Sequence, residues 1–272
     1  MGLIHETTTR FAVDGQRVVG TLCLPPGGPA PVVLLFHGFT GSRHEMPVAG
    51  TREGVFSRTA RLLAQSGYAS LRIDFRGNGD SDGDFADTTY DAQIADATEA
   101  IRQMAHDQRV RGDRLAVLGW SQGGLVAATV AGRSEGTVKA CVLWAAVSTP
   151  KLARAFLLGP ANLAKGLPTD GSLITIQNGG KTIALKRGFF DAMDTANPMQ
   201  EIAAYQGPLF IAHGRQDAAV PIAAAALYAA AHKGLHQLWI TDMDHSFNAS
   251  QGPEMLDKLV AATVAFLNAN LP

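Results

Sequence analysis

A serine lies between two glycines, in the stretch Gly119-Trp120-Ser121-Gln122-Gly123. The apolar run at 115–118 predicts a buried strand before it, and the small residues at 125–131 predict a helix after it. On a sharp strand-to-helix turn, a serine hydroxyl projects from the carboxyl end of the sheet, where it can act as a nucleophile. Gly119 and Gly123 are expected because a side chain there would collide with the adjoining strand and helix. The pattern alone is a weak signal, and the flanking strand and helix make it strong.

A serine nucleophile of this kind needs an acid after a later strand and a histidine after the last strand. Asp217 follows a predicted strand at 208–212, and His245 follows a predicted strand at 237–240. Ser121, Asp217 and His245 are therefore predicted to leave the same sheet edge and to form a catalytic triad. The alternative is a glycine-rich turn that only packs a helix onto a sheet, and it accounts for neither Asp217 nor His245.

A fourth segment would serve the same chemistry. The apolar strand at 32–36 ends in His37-Gly38-Phe39-Thr40-Gly41, whose glycines allow a sharp turn. We expect the backbone amide of Phe39 and that of Gln122, at a helix N-terminus, to form an oxyanion hole. The ring of His37 is expected only to brace this turn.

Charged residues near these segments are interpreted as structural. Asp74 and Arg76 follow the predicted strand at 68–73 and are expected to brace the loops around the site. A long connection at 42–53 follows the turn at 37–41, called the oxyanion turn below, and could contact substrate. Its charges are interpreted as solvated. These charges are Arg43, His44, Glu45 and Arg52.

Composition fits a single-domain enzyme. The 272 residues are 46% hydrophobic, enough for a large core, and the net charge of −1 favours neither nucleic acid nor an anionic membrane as partner. No transmembrane stretch and no signal peptide are apparent, so a cytoplasmic location is expected.

Cys23 and Cys141 lie in apolar strands and are predicted to be buried free thiols. The histidines show no metal-binding spacing, and we expect no metal and no cofactor.

Strands alternate with helices along the chain, which predicts an α/β fold with an open, mostly parallel, doubly wound sheet. Two N-terminal strands joined by a hairpin turn at Asp14-Gly15 come first. Besides the segments above, strands are predicted at 8–13, 17–24 and 138–144, and helices at 54–65, 90–104, 223–231 and 253–268.

Residues 148–198 break this alternation. They hold a short helix candidate at 152–158 and a hairpin, in which strands at 172–177 and 181–186 flank Asn178-Gly179-Gly180. We interpret this segment as an inserted cap over the active site, the alternative being a surface excursion unrelated to substrate. The predicted organisation is a hydrolase core at 1–147, the cap at 148–198 and the rest of the core at 199–272.

As a set, these motifs resemble those of the α/β-hydrolases, and among them the bacterial cinnamoyl (feruloyl) esterases. The resemblance covers nearly the whole chain and implies a serine carboxylesterase with a small cap that carries a hairpin. It is carried by His37-Gly38-Phe39-Thr40-Gly41, the run RIDFRGNGDSDG at 72–83, Ser121-Gln122-Gly123-Gly124, His213-Gly214 with Asp217, and Asp244-His245.

The cap departs from that family's pattern. In such esterases the cap supplies a carboxylate and a tyrosine that bind the phenolic hydroxyl of the acyl group. Here Phe190 takes the place of the tyrosine, and the early cap at 149–153 has no acid. We therefore expect a more apolar pocket, with Leu152, Phe156 and Phe190 as substrate contacts.

The sequence thus predicts hydrolysis of small alkyl or aryl esters, hydroxycinnamoyl esters among them, through an acyl-enzyme. The expected partner is a small-molecule ester, with no nucleic acid and no membrane; the oligomeric state, a dimer included, stays open. Three alternatives use the same scaffold: a peptidase or amidase, a C–C hydrolase or perhydrolase, and a ligand receptor that performs no reaction.

Overall fold

The computed structural model describes residues 3–178 and 180–271, except for the side chain of Phe156. Its main sheet has eight strands in the order β1-β2-β4-β3-β5-β6-β9-β10. These strands are β1 (His5–Val13), β2 (Gln16–Leu24), β3 (Ala30–Phe36), β4 (Ala69–Asp74), β5 (Val110–Trp120), β6 (Val138–Trp144), β9 (Leu209–Gly214) and β10 (His236–Thr241). A separate two-stranded sheet pairs β7 (Ile174–Asn178) with β8 (Lys181–Leu185).

The sheet is mostly parallel, as the alternation of strands and helices predicts. Pairing is antiparallel only where β2 meets β1 and β4, and every other pair of neighbouring strands in the main sheet is parallel. The hairpin between β1 and β2 turns at Asp14 and Gly15, whose φ angles are 49° and 77°. Positive φ at both positions is the geometry that matches the right-handed twist of the flanking strands.

Helices cover both faces of the main sheet, so that the core lies in two layers. The helices are α1 (Val55–Gln65), α2 (Tyr90–His106), α3 (Gln122–Arg133), α4 (Pro150–Lys165), α5 (Arg187–Thr195), α6 (Pro198–Ala204), α7 (Ala223–Ala231) and α8 (Glu254–Asn270). Helices α2 and α3 bury apolar residues on one face, and α1 and α8 on the other. The two cysteines are buried free thiols, as expected.

The segment predicted as a cap holds α4, the hairpin of β7 and β8, and α5. Helix α4 is longer than the predicted helix at 152–158, and it kinks at Gly159, where φ is 66°. Helix α5 was not predicted from the sequence, because it has no capping side chain at Lys186 and contains a glycine at 188. The predicted hairpin forms, although Gly179 of its turn lies outside the described residues.

No described helix combines the length and the apolar character that crossing a membrane requires. Within 3–178 and 180–271, no three histidine, cysteine or acidic side chains converge in a way that could hold a metal ion.

Candidate active site

Ser121 occupies a strained turn between β5 and α3. Its φ of 57° and ψ of −118° lie outside the regions that L-residues usually adopt, at a cost on the order of 1–3 kcal/mol. Hydrogen bonds on both sides hold it there. Its amide donates to the carbonyl of Trp144 at 2.9 Å, and its carbonyl accepts from the amides of Gly124 and Val147, both at 3.0 Å. The backbone is therefore fixed so that the side chain stands clear of the sheet.

The glycines on either side of Ser121 are required by close packing. A Cβ on Gly119 would overlap the backbone of Gly123, and a Cβ on Gly123 would overlap the carbonyl oxygen of Phe36. Helix α3 thus starts directly against the ends of β5 and β3. This is the collision with strand and helix that the sequence predicts.

Ser121, His245 and Asp217 form a continuous hydrogen-bonded chain. The Nε2 atom of His245 lies 3.0 Å from Ser121 Oγ, and its Nδ1 atom lies 2.8 Å from Asp217 Oδ2. Asp217 follows β9 and His245 follows β10, which are neighbouring parallel strands. The imidazole can therefore accept the serine proton on one nitrogen while the acid fixes the proton on the other.

Asp217 is held as a carboxylate. Its side chain is fully buried, and burial alone would raise its pKa. Hydrogen bonds from His213 and His245, with the backbone amide of Val220, outweigh burial and place the pKa well below its ordinary value. Its Oδ1 atom accepts from the amides of Ala219 at 2.9 Å and Val220 at 2.8 Å. Asp217 is thus ionised at neutral pH and locked in orientation.

His213 is not among the predicted catalytic residues, but its ring contacts Asp217. Its ring is buried, with Nε2 3.3 Å from Asp217 Oδ2 and 2.9 Å from the carbonyl oxygen of Val220. It therefore contacts the same carboxylate oxygen as His245 does. The motif His213-Gly214 was visible in the sequence, but nothing in it indicates where the ring points.

The loop of His245 is organised by its neighbours. The indole N–H of Trp120 donates to the carbonyl of His245 at 3.0 Å. Asp244 Oδ1 accepts from the amides of Ser246 and Asn248 at 2.9 and 2.8 Å. Asp242 is exposed and pairs with Arg215. Neither acid is hydrogen-bonded to the imidazole in the described structure, which leaves Asp217 as its partner.

Two backbone amides are available beside Ser121. Gln122 begins α3, so its amide has no partner within the helix. Phe39 lies in the turn after β3, and neither amide has an acceptor among the described residues. The neighbouring Gly38 lies against Ser121, since a Cβ placed on it would be 3.4 Å from Ser121 Cβ. Both predicted oxyanion donors thus come from segments that border Ser121.

His37 braces this turn, as expected. Its Nδ1 atom donates to the carbonyl of Gly38 at 2.8 Å, and its Nε2 atom accepts from the amide of Phe75 at 3.1 Å. Burial lowers the pKa of His37 to about 4. The ring is therefore neutral, which suits one donating and one accepting nitrogen.

The interpretation of residues 42–53 as solvated charges is wrong for two of the four. Arg43 is largely buried and forms ion pairs with Asp74 and Asp80. The carboxyl of Glu45 folds back and accepts from the amide of Gly38 at 2.8 Å. Both are drawn in because the segment closes on itself, with the amide of Val55 donating to the carbonyl of Met46. His44 and Arg52 are exposed, as expected.

Two cavities lie beside the site. One has a volume of about 440 Å³ and lies between the start of α4 and the loop after Asp217. It is mainly apolar, and its lining includes Val147, Leu152, Val220, Pro221 and Leu227. The second, of about 500 Å³, lies between the oxyanion turn, the loop at Gly77–Gly79 and strand β8. Both volumes suit a small organic ligand.

The predicted substrate contacts Leu152 and Phe190 differ in how far they are exposed. Leu152 is 73% exposed and lines the apolar cavity. Phe190 is fully buried and packs edge-on against Phe189, so a direct contact with substrate would need movement of helix α5. The side chain of Phe156 lies outside the described part of the chain.

A mostly parallel sheet with a strained serine turn, and with an acid and a histidine after later strands, defines the class of hydrolases built on an α/β sheet. The chain belongs to the α/β-hydrolase fold family, whose profile matches residues 31–172.

Solved structures share this fold over nearly the whole chain. Est1E from Butyrivibrio proteoclasticus, with ferulic acid bound, superposes with a TM-score of 0.80 at 24% identity, covering 96% of this chain and 98% of that one. The esterase domain of a Rhodothermus marinus protein gives a TM-score of 0.72 at 22% identity, covering 98% and 100%. At such identities the likeness establishes the fold alone.

A curated relative is similar over a shorter stretch. Dipeptidyl peptidase family member 2 of Caenorhabditis elegans is 27% identical over 137 residues, which is 48% of this chain. The chain spans only 16% of the length of that relative.

Proposed function

We propose that the protein is a serine carboxylesterase that hydrolyses small alkyl or aryl esters through an acyl-enzyme. The observation that carries this proposal is the chain from Ser121 Oγ through His245 to the ionised Asp217, at 3.0 and 2.8 Å. The likeness to Est1E and to another esterase domain supports the ester as the substrate class.

The reaction has two steps. His245 Nε2 takes the proton of Ser121 as Oγ attacks the ester carbonyl, and Asp217 stabilises the resulting imidazolium. The amides of Phe39 and Gln122 hold the oxyanion, the C–O bond breaks, and His245 returns the proton to the leaving alcohol. A water molecule, deprotonated by His245, then attacks the acyl-enzyme and releases the carboxylic acid.

The apolar cavity is the proposed site of the acyl group. The amide of Val147, in its lining, donates to the carbonyl of Ser121, and Ala219 and Val220 donate to Asp217. The cavity is thus built from the residues that hold the triad. The described residues that line it carry no charged side chain, which favours a neutral acyl group.

A peptidase or amidase is the second candidate, because the same triad cleaves amides and a dipeptidyl peptidase is a partial relative. Turnover of p-nitrophenyl acetate and butyrate, compared with aminoacyl p-nitroanilides, separates the two. We expect hydrolysis of both esters and a much smaller kcat/KM for the anilides. Faster cleavage of an anilide would favour the peptidase, and no turnover of any substrate would favour a receptor.

We expect acyl selectivity to be graded, because the cavity recognises its ligand through apolar contact. One methylene in such a pocket is worth roughly 1–3 kcal/mol, whereas a site built to pair a hydroxyl rejects its absence by about 10⁴-fold or more. Methyl p-coumarate and methyl cinnamate differ only in the phenolic hydroxyl, and their kcat/KM values should differ by less than about a hundredfold.

A stronger preference for the coumarate would contradict apolar recognition. It would indicate that polar side chains of the cavity, Ser148 or Thr149, bind the phenol. A matched comparison of methyl cinnamate with methyl 3-phenylpropionate controls for the shape of the acyl chain.

A further inference from the structure

The turn at 37–41, which carries the predicted oxyanion donor Phe39, encloses the carboxyl group of Glu45. This carboxyl is not part of the hydrogen-bonded chain of Ser121, His245 and Asp217. Glu45 Oε1 accepts from the amide of Gly38 at 2.8 Å. The carboxyl also fills the space beside Gly41, where a Cβ would overlap it. Gly38 and Gly41 both belong to the turn at 37–41, so the carboxyl lies on the inside of the turn.

The peptide group that carries the predicted donor is fixed through its carbonyl. The oxygen of Gly38 accepts from His37 Nδ1 at 2.8 Å and from the amide of Gly41 at 3.0 Å. The described chain contains no cis peptide bond, so the N–H of Phe39 points away from that oxygen. The ring of Phe39 packs against Phe85 and Phe189. Glu45 fixes the preceding peptide group, because its carboxyl accepts from the amide of Gly38.

We propose that the Glu45 carboxyl is a positioning residue, which holds the turn in the conformation that presents the Phe39 amide to the oxyanion. Gly38 has no side chain to limit its φ and ψ, so without an acceptor for its amide the turn is free to adopt other conformations. This inference rests on the proposed esterase function, because it assigns a role within that reaction.

Glu45 is itself held in place. Its backbone has a φ of 60°, which is unfavourable for a residue with a side chain. Its amide donates to the carbonyl of Ser42, and the amide of Phe56 donates to the carbonyl of His44. Strain of this kind persists where the surroundings impose it and is common at functional sites.

The negative charge of Glu45 is reduced at this position, although it is not removed at neutral pH. A full negative charge beside the oxyanion would oppose catalysis. Burial raises the pKa of Glu45 to about 7, against the opposing effect of hydrogen bonds from the amides of Gly38 and Met46. A neutral carboxyl still accepts from the Gly38 amide through its carbonyl oxygen.

The test compares Glu45→Ala with Glu45→Gln, using a p-nitrophenyl ester. Because displacement of a catalytic group by about 1 Å can cost roughly 100-fold, we expect Glu45→Ala to lower kcat about 10- to 100-fold, with KM changed by less than about threefold. Glu45→Gln keeps an acceptor oxygen and should recover most of kcat. The matched control is Glu53→Gln in the same segment. Glu53 pairs with Arg58 and Arg61, and its loss should leave kcat unchanged.

Gly41→Ala gives an independent measurement. Its methyl group would displace the carboxyl and should reproduce the loss seen in Glu45→Ala. In the double variant, the methyl group fills space that is already vacated, so kcat should equal that of Glu45→Ala alone. Additive losses would overturn the proposal. If Glu45→Ala folds poorly, the single variant Gly41→Ala still tests it, because that variant keeps Glu45 and only displaces its carboxyl; wild-type kcat in Gly41→Ala would then overturn the proposal.

The two proposals fail in different ways. If wild-type protein turns over esters and Glu45→Ala stays within threefold of it, the positioning role is overturned and the esterase function stands. If Glu45→Gln is as impaired as Glu45→Ala, acceptance from Gly38 is not the role of Glu45. Wild-type protein without ester turnover would overturn the esterase proposal together with this one.

Discussion

Replacing Ser121 by alanine should lower kcat for ester hydrolysis by roughly 10⁴–10⁶-fold and leave the fold intact. The hydroxyl is the only part of the side chain that the substitution removes, and its described partner is His245 Nε2. The turn itself is held by backbone hydrogen bonds to Trp144, Gly124 and Val147, which alanine keeps. The measurement is kcat with p-nitrophenyl butyrate, with thermal unfolding as the check on folding.

Ser66→Ala is the control, because Ser66 is a serine at the end of helix α1 whose hydroxyl donates to the carbonyl of Leu62. It should retain wild-type kcat. A fluorophosphonate probe should label wild-type protein and the control, but not Ser121→Ala. A Ser121→Ala variant that keeps a tenth of wild-type turnover would show that another group is the nucleophile.

The triad positions could be predicted because each follows a strand. Parallel strands bring their carboxyl ends to one edge, so Ser121, Asp217 and His245 were expected to converge once their strands were assigned. The register of β9 against β10 then places the acid beside the histidine. No side-chain detail is needed for that step.

Glu45 was not predictable in the same way. Its carboxyl reaches Gly38 only because the 42–53 segment folds back, through hydrogen bonds such as that from Val55 to Met46. These contacts are between backbone atoms of an irregular loop, and they leave no periodic pattern in the sequence. A cluster of charged residues in a loop is most often solvated, and that expectation fails here for Arg43 and Glu45.

Residues 148–198 show a second limit on what the sequence can predict. Strands β7 and β8 were visible from alternating residues around a turn sequence, whereas α5 has no capping signal at its start. The burial of Phe190 depends on how α5 packs against Phe189, and this is a tertiary contact. The sequence can therefore place a residue in this segment, but it cannot predict whether the side chain is buried.

Replacing Asp217 by asparagine should lower kcat on the order of 10⁴-fold, through the wrong tautomer of His245. Asp217 Oδ1 accepts from two backbone amides, those of Ala219 and Val220. An asparagine must therefore place its carbonyl oxygen there and its NH₂ group at the position of Oδ2, 2.8 Å from His245 Nδ1. The Nδ1 atom of His245 would then have to accept a hydrogen bond from the asparagine. The imidazole proton would therefore lie on Nε2, facing Ser121. The base is lost although its geometry is kept.

Asp244→Asn provides the comparison, because Asp244 adjoins His245 in sequence but serves only its loop. Its Oδ1 atom accepts from the amides of Ser246 and Asn248, and an asparagine oxygen can do the same. We therefore expect kcat within about tenfold of wild type, a change of about 1.4 kcal/mol in barrier. Measuring both variants from pH 6 to 9 with one ester decides the assignment. Greater damage from Asp244→Asn, with Asp217→Asn nearly silent, would mean that the hydrogen bond from His245 to Asp217 is not the one that orients the base.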